Sequence, residues 1–409
     1  MIRYLNRKNF IIFLILSTIL KIVFSIFYGD KVFDNEWGKL YYNLINFSSL
    51  SYNDVYGEKV PSVYMPPLYI YFLYIFSFFN FSELLTIQIV KFVQCLISCI
   101  SVYYFYKISK NFFEQKISLI IAILYCFYPL NFYAPSQISS ITLQLFLFLG
   151  FLNFFINFEK KNNFIYFALF SGFSILIRGE FWLLFILCIL FFFLKYKTKL
   201  IKKIILSLLM VSIIVTPYLI RNFINFNEII LTKSSGYNLW RGNSLQPKVS
   251  GELTNSPTIE NEIIKIKNNL LKINKLNYYE VYIDNYYFDV AKENIIANPL
   301  VYIFHYFKKF IAYSIYNPFQ KYEGYFNPII YIPEIIISIL ALLGLSKNIF
   351  SKKRYTRIIL VLIFYLLLIP VFFILPRYKL FILPMYFIFA SYFIINLFSK
   401  KNFFQKAIK

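Results

Sequence analysis

The chain is a succession of long apolar runs with basic clusters in a subset of the short segments between them, and no soluble domain is built on that pattern. Runs of about 20 apolar residues match the thickness of a bilayer core. In lipid such runs must be helices, because every backbone polar group needs a partner within the protein. Hydrophobic residues make up 59% of the 409 positions, which leaves little chain for anything else. The expected class is therefore an all-α polytopic membrane protein.

A net charge of +23 raises the question of nucleic acid, and its distribution answers it. Basic residues gather between apolar runs: Arg3, Arg7 and Lys8; Lys107, Lys110 and Lys116; Lys160 and Lys161; Lys195 to Lys203; Lys347 to Arg357; Lys400 to Lys409. The acids in those segments are only Glu114 and Glu159. This is the charge bias of cytoplasmic loops, and no nucleic-acid partner is expected. Cys95, Cys99, Cys126 and Cys188 all lie in apolar runs and read as free thiols, and His305, the single histidine, makes no metal set. Residues 10–28 lack a small-residue cleavage site and read as a retained first span.

Charge parity then gives a topology. With the basic segments inside, 10–28 crosses outward and 29–66 is an outer loop. Residues 67–80 form a partly inserted or surface helix, and 84–106 crosses back. Crossings at 117–134 and 138–158 follow. Residues 164–194 are basic at both ends and form a hairpin of two short arms with Arg178-Gly179-Glu180 at its tip. Each arm of about 14 residues reaches roughly 21 Å against a core of about 30 Å, so the tip sits below the outer surface. Residues 204–220 cross outward, 221–298 form a polar outer loop, and 299–316, interrupted by His305, Lys308 and Lys309, lie along the outer interface. Crossings at 329–346, 358–375 and 380–398 bring the total to about ten spans. Three regions result: 1–220, with the outer loop 29–66; 221–298; and 299–409. No internal repeat is evident, which gives an inverted-repeat transporter little support.

Nearly all remaining acids lie on the outer side, and three polar elements meet there: Asp34-Asn35-Glu36, the Arg178/Glu180 tip, and the turn Pro376-Arg377-Tyr378-Lys379. Ionisable groups at membrane depth are costly and face a cavity or each other. Arg178 and Glu180 paired together, with Arg377 and Lys379 snorkelling to the interface, is the structural alternative. An arginine at headgroup depth also suits a lipid-linked phosphate, which its planar fork holds bidentately. A nearby carboxylate takes the proton of an acceptor hydroxyl. Asp34 and Glu36 share a face on an extended segment and diverge on a helix. Asp30, Asp54 and Glu58 read as solvated charges.

The order of these motifs resembles the GT-C superfamily of integral-membrane glycosyltransferases, in particular the branch of protein O-mannosyltransferases and lipid A aminoarabinose transferases. Phe33-Asp34-Asn35-Glu36 falls where the family carries its catalytic aspartate. Tyr64-Met65-Pro66-Pro67-Leu68-Tyr69 is similar to a Tyr-x-x-Pro-Leu stretch, with Met65 where some members have lysine. Ser82-Glu83-Leu84 opens the next span. Leu176-Ile177-Arg178-Gly179-Glu180 resembles a Leu-Thr-Arg-Pro-Glu tip, with Gly179 for proline. Gly236-Tyr237-Asn238-Leu239-Trp240-Arg241-Gly242-Asn243 resembles an outer-loop Gly-x-Asn-Leu-x-x-Gly-Asn element, and Gly242 is expected at a positive φ. Asn298-Pro299 to Phe310 and Arg377-Tyr378-Lys379-Leu380 with Pro384 complete the series.

The resemblance implies transfer of a hexosyl or pentosyl unit from a polyprenyl-phosphate donor, with inversion, to a lipid, glycan or protein acceptor on the non-cytoplasmic face of the membrane; chain length points to a bacterial inner membrane. It implies Asp34 as base with Glu36 as second acid. Arg178, Arg377 and Lys379 are implied at the donor phosphate, and Tyr64, Glu180, Asn238, Trp240 and Arg241 around the sugar or acceptor. No cofactor is required in such enzymes; a divalent cation at Asp34/Glu36 is a minor alternative. An exporter or flippase of lipid-linked sugars, and an O-antigen polymerase or ligase, stay open as other readings.

Overall fold

The computed structural model describes residues 7–55, 58–270, 278–319, 326–346 and 353–399, and these form an almost wholly helical protein. Helix α1 (Arg7–Tyr28) is the first apolar run. It shows Ile11, Ile12, Ile15, Leu16 and Ile19 to the outside while packing on α4. An apolar outer surface of this kind belongs against lipid. The segment 29–66, expected as an outer loop, is more ordered than its sequence suggests. It holds α2 (Glu36–Phe47) and an antiparallel pair, β1 (Ser51–Val55) with β2 (Glu58–Pro61), in which Asp54 faces Lys59. Asp54 is paired with Lys59 at 2.7 Å.

Helix α3 (Leu68–Tyr74) runs on into a 3-10 turn, Ile75–Phe79, as the short helix expected at 67–80. Helix α4 (Glu83–Ser109) is capped by Ser82, whose hydroxyl accepts from the Leu85 amide, with Glu83 in the first turn where the helix dipole favours an acid. The span expected at 117–134 is broken. Helices α5 (Gln115–Cys126) and α6 (Pro129–Tyr133) meet at a 67° bend. Pro129 opens the second piece, a position where its missing N–H costs nothing.

Helix α7 (Ile141–Ile156) is buried on every side and forms the spine of the molecule, packed on α4 and on α8 (Asn163–Ile177). A helix apolar all round belongs at such a centre. Helix α9 (Phe181–Tyr196) follows α8 across Arg178-Gly179-Glu180, the hairpin expected at 164–194. Helix α10 (Ile201–Phe226) is longer than the expected 204–220 and packs on α8. Residues at the N-terminal end of α9 and the C-terminal half of α10 line one cavity, so the chain folds back at Lys197–Leu200.

The segment 221–298 is not a loop. Beyond the end of α10 it contains α11 (Ser235–Gly242), α12 (Pro257–Leu270) and α13 (Tyr279–Ala297), joined by the small core of Trp240, Ile266 and Ala291. The expectation of a positive φ at Gly242 is not met. That φ occurs at Gly251 (+67°), whereas a Cβ on Gly242 would lie 2.2 Å from the Phe372 carbonyl. Close backbone approach is what requires the glycine.

Helix α14 (Pro299–Ser314) turns apolar Leu300, Phe304, Phe307 and Ile311 outward and buries His305 and Lys309. This is the inverse of a soluble amphipathic helix and suits one lying against lipid. Helices α15 (Pro328–Ser346) and α17 (Leu383–Ser399) pack together. Between them α16 (Thr356–Leu368) stops well short of the expected 375, because Pro370 sits in a 3-10 turn at Ile369–Val371. By length and apolarity, four stretches of the described residues can cross a membrane: Lys8–Tyr28, Glu83–Ser109, Pro328–Ser346 and Phe181–Phe226, the last being α9 and α10 taken together across their fold-back. The bent α5–α6 pair makes a fifth, and other apolar helices such as Ile141–Ile156 and Leu383–Phe398 are shorter. Length alone thus does not reach the expected ten.

Candidate functional site

Two cavities meet at the α8–α9 tip. The larger, about 810 Å³, is walled by apolar side chains of α9 and α10, among them Leu183, Ile186, Leu208, Val211, Val215 and Leu219. The smaller, about 220 Å³, is polar and is walled by Glu36, Tyr64, Gln144, Arg178, Glu180, Asn238, Arg241 and Arg377, with Ser139 and Ser140. Arg178, Gly179, Glu180, Thr232, Ser234, Asn238, Phe373 and Tyr378 line both. An apolar channel therefore opens directly into a chamber bearing three guanidinium groups and two carboxylates.

Each element reaches the chamber for a local reason. Asn35 caps α2: its Oδ1 accepts from the amides of Trp37 and Gly38 at 3.1 Å, while its Nδ2 donates to the Ile138 carbonyl at 2.8 Å. Asparagine is among the best residues for such a cap. Glu36 is thereby the first residue of the helix and lines the chamber. Asp34 precedes the cap, is exposed, and is not among the lining residues. The two acids therefore diverge. Asp30, expected as a solvated charge, is instead pinned, with its carboxylate accepting from the Ile138 amide at 2.7 Å. Burial raises its pKa against that hydrogen bond, and the nearby charge of Asp34 raises it further.

At the tip, Arg178 Nε donates to Glu180 and Nη1 to Gln144 Oε1 at 3.4 Å. The guanidinium also lies over the rings of Tyr378 (5.3 Å) and Phe381 (5.1 Å). The expected Arg178–Glu180 pairing thus coexists with a place on the cavity wall. Arg241 donates from Nε to the Gly251 carbonyl at 3.1 Å and lies 4.6 Å over Phe373. Arg377 is exposed at the chamber mouth. Among the described residues neither Arg241 nor Arg377 forms an ion pair, which leaves both charges available to an anion. Tyr64 stacks on Tyr52 at 5.1 Å, and burial raises its pKa.

Two sequence candidates sit elsewhere. Trp240 is buried against Tyr287 (4.8 Å) and Tyr237 (6.1 Å), in the small core that joins α11 to α12 and α13, and does not reach the chamber. Lys379 is also buried, donating to Glu334 Oε1 at 2.9 Å and to the Ile315 carbonyl. A buried ammonium needs such a partner, and this one directs Lys379 away from the chamber. Around Asp34 and Glu36, no group of three His, Cys, Asp or Glu with metal-holding geometry occurs among the described residues.

Other residues that shape the site lie in stretches where sequence reasoning assigned no role. Gln144, an amide within an apolar run, contacts Arg178. Glu280 on α13 accepts from the Val63 amide (2.7 Å), Ser62 Oγ (2.9 Å) and Asn53 Nδ2 (3.0 Å), and so holds the segment carrying Tyr64. Burial raises the Glu280 pKa, opposed by those donors. Arg221 braces the same segment through the carbonyls of Ser62 (2.8 Å) and Leu50 (3.3 Å).

No protein-family model and no curated protein matches the sequence. Solved structures do match. The apo oligosaccharyltransferase of Archaeoglobus fulgidus aligns over 99% of this chain and 52% of its own, with 12% identity and a TM-score of 0.56. ArnT from Cupriavidus metallidurans, solved with undecaprenyl phosphate, aligns over 95% of this chain and 77% of its own, with 10% identity and a TM-score of 0.46. The chain spans about half the length of the archaeal oligosaccharyltransferase. At these identities the likeness is one of fold alone: the chain has a GT-C-like, almost wholly helical membrane fold.

Proposed function

We propose that the chain is a glycosyltransferase that moves a sugar from a polyprenyl-phosphate donor to an acceptor on the non-cytoplasmic face of the membrane. The observation that carries the reading is the continuity of the two cavities through Arg178, Gly179 and Glu180. A lipid-linked sugar phosphate has an apolar tail, an anionic linkage and a polar head in that order. The apolar channel, the arginine-bearing tip and the polar chamber follow the same order.

In this reading the isoprenoid lies between α9 and α10 and its phosphate meets Arg178 and Arg377. The acceptor hydroxyl attacks the anomeric carbon as the bond from that carbon to the phosphate oxygen breaks. The phosphate keeps the bonding electrons and leaves as an anion, and arginines at that point favour the transition state as charge builds there. The acceptor proton passes to a carboxylate of the Asp34/Glu36 pair. Glu36 lines the chamber and Asp34 does not, which favours Glu36 as the base and Asp34 as a flanking charge. Asn238, Arg241, Tyr64 and Glu180 surround the sugar or the acceptor. Attack opposite the leaving phosphate gives inversion. In this reading the protein sits in a bacterial inner membrane, on its chain length, and no cofactor is part of the scheme.

The test is turnover by purified protein with a panel of radiolabelled polyprenyl-phosphate hexoses and pentoses, with and without divalent cation. Transfer, or slow donor hydrolysis with water as acceptor, is expected from wild type and not from Glu36→Gln. Folded protein that turns over no donor yet moves lipid-linked sugars across liposome bilayers would make it an exporter instead.

A further inference from the structure

Helix α11 carries Asn238 and Arg241 to the chamber, and each of its ends is held by a buried charge from another helix. At the N-terminus, Asp284 of α13 accepts from the Tyr237 amide at 2.9 Å through Oδ1 and from Ser235 Oγ at 3.5 Å through Oδ2. At the C-terminus, Lys309 of α14 donates to the Gly242 carbonyl (3.1 Å) and to Asn243 Oδ1 (3.1 Å). The same ammonium reaches the carbonyls of Phe372 (2.6 Å) and Val371 (3.3 Å), in the stretch that contributes Phe373 and Arg377 to the site. Asp284 is 4% exposed and Lys309 is fully buried. Neither lines either cavity.

The signs of these charges follow the helix. A carboxylate at the N-terminus and an ammonium at the C-terminus both complement the backbone dipole, and each satisfies backbone groups that an eight-residue helix leaves unpaired. Steric fit enforces the same placement. A Cβ on Gly236 would lie 1.9 Å from the Asp284 carbonyl, and one on Gly242 2.2 Å from that of Phe372, so α11 is pressed against backbone at both ends. Burying two charges far apart from each other is costly for a mere packing contact, which apolar side chains would make more cheaply. What the charges add is a fixed register for a helix too short to hold itself.

We infer that Asp284 and Lys309 are positioning residues that clamp α11 from its two ends and thereby set Arg241 and Asn238 against the donor. This rests on the donor-site reading above, and the test separates the two. Hydrogen exchange needs no donor. Asp284→Ala should expose the α11 amides, Tyr237 first, while those of α7 and the overall melting temperature hold. Asp284→Asn keeps an acceptor oxygen and should fall between. If Asp284→Ala does not fold, Asp284→Asn and Lys309→Met, which loses the donors at the other end, carry the same exchange comparison. Unchanged α11 protection in these variants overturns the clamp, whatever the activity.

With an active donor in hand, Asp284→Ala should raise donor KM roughly tenfold and change kcat little. In an Arg241→Ala background the same change should add less than about twofold, because residues acting through one group are not additive. Fully additive effects would show that Asp284 does not act through Arg241. If wild type turns over no donor, the function reading fails while the exchange result still decides the clamp.

Discussion

Arg178 gives its Nε hydrogen to Glu180, two residues further along the same tip, and its Nη1 to Gln144 on α7 at 3.4 Å. The guanidinium is thus aimed by two partners while it walls both cavities. Orientation, more than charge, is what this arrangement provides. Arg178→Lys keeps the charge and loses the fork. It should lower kcat/KM for a polyprenyl-phosphate sugar by roughly 100-fold, the scale of losing one directed donor at a developing anion. Glu180→Gln, which keeps an acceptor oxygen, should cost less. Steady-state kinetics on the three proteins checks the order.

The two outer-loop acids should separate in the same assay. Glu36→Gln removes the carboxylate that lines the chamber, and a loss of roughly 10²- to 10⁴-fold in kcat is expected of a missing general base. Asp34→Asn should stay within about tenfold of wild type, since Asp34 is exposed and precedes the Asn35 cap. A larger loss in Asp34→Asn than in Glu36→Gln would reverse the assignment.

Lys379 and Glu334 form a buried pair that ties the 3-10 turn Pro376–Phe381 to α15. Breaking it should show in stability before activity. Lys379→Met leaves the Glu334 carboxylate buried and alone, at a cost of about 3–5 kcal/mol. The double variant Lys379→Met/Glu334→Leu should recover most of that. Thermal unfolding in detergent reads both changes.

His305 gives the pH dependence. Its imidazole lies on α14, outside the candidate spans. Burial, then the charges of Lys309 and Lys308, lower its pKa from 6.5 to about 4. A base with a depressed pKa is neutral in the folded state where the unfolded state has already taken a proton. Its contribution is therefore present above pH 6.5 and lost as pH falls toward 4, with a ceiling of about 3 kcal/mol. Melting temperature should drop over that window in wild type and drop less in His305→Phe.

Much of the fold was legible because lipid imposes one rule. The apolar run of α1 and the short α8–α9 hairpin follow from apolar length and basic flanks, whereas the start of α4 at Ser82-Glu83-Leu84 came from the family resemblance. The bend at Pro129 and the early stop of α16 at Pro370 were each signalled by a proline that an apolar count overlooks. The helices of the 221–298 segment were not foreseen, because their polarity hides them: α11, α12 and α13 share a small core around Trp240. For the site, Arg178, Glu180 and Arg377 were legible as charges near lipid depth, and Arg241 only through the outer-loop motif that the resemblance carried. The departure of Lys379 was not, since its partner Glu334 lies 45 positions away in the chain. Glu280 and Asp284 lie in a polar stretch to which the sequence assigned no site residue beyond α11, and only the folded backbone brings the amides of Val63 and Tyr237 to them.

The most direct measurement is binding of undecaprenyl phosphate to the purified protein by native mass spectrometry, with undecaprenol as the uncharged control. One continuous site for tail and phosphate predicts saturable binding of the phosphate, weak binding of the alcohol, and loss of the difference in Arg178→Gln/Arg377→Gln. Equal retention of phosphate and alcohol by wild type, or undiminished phosphate binding by the double variant, would contradict it.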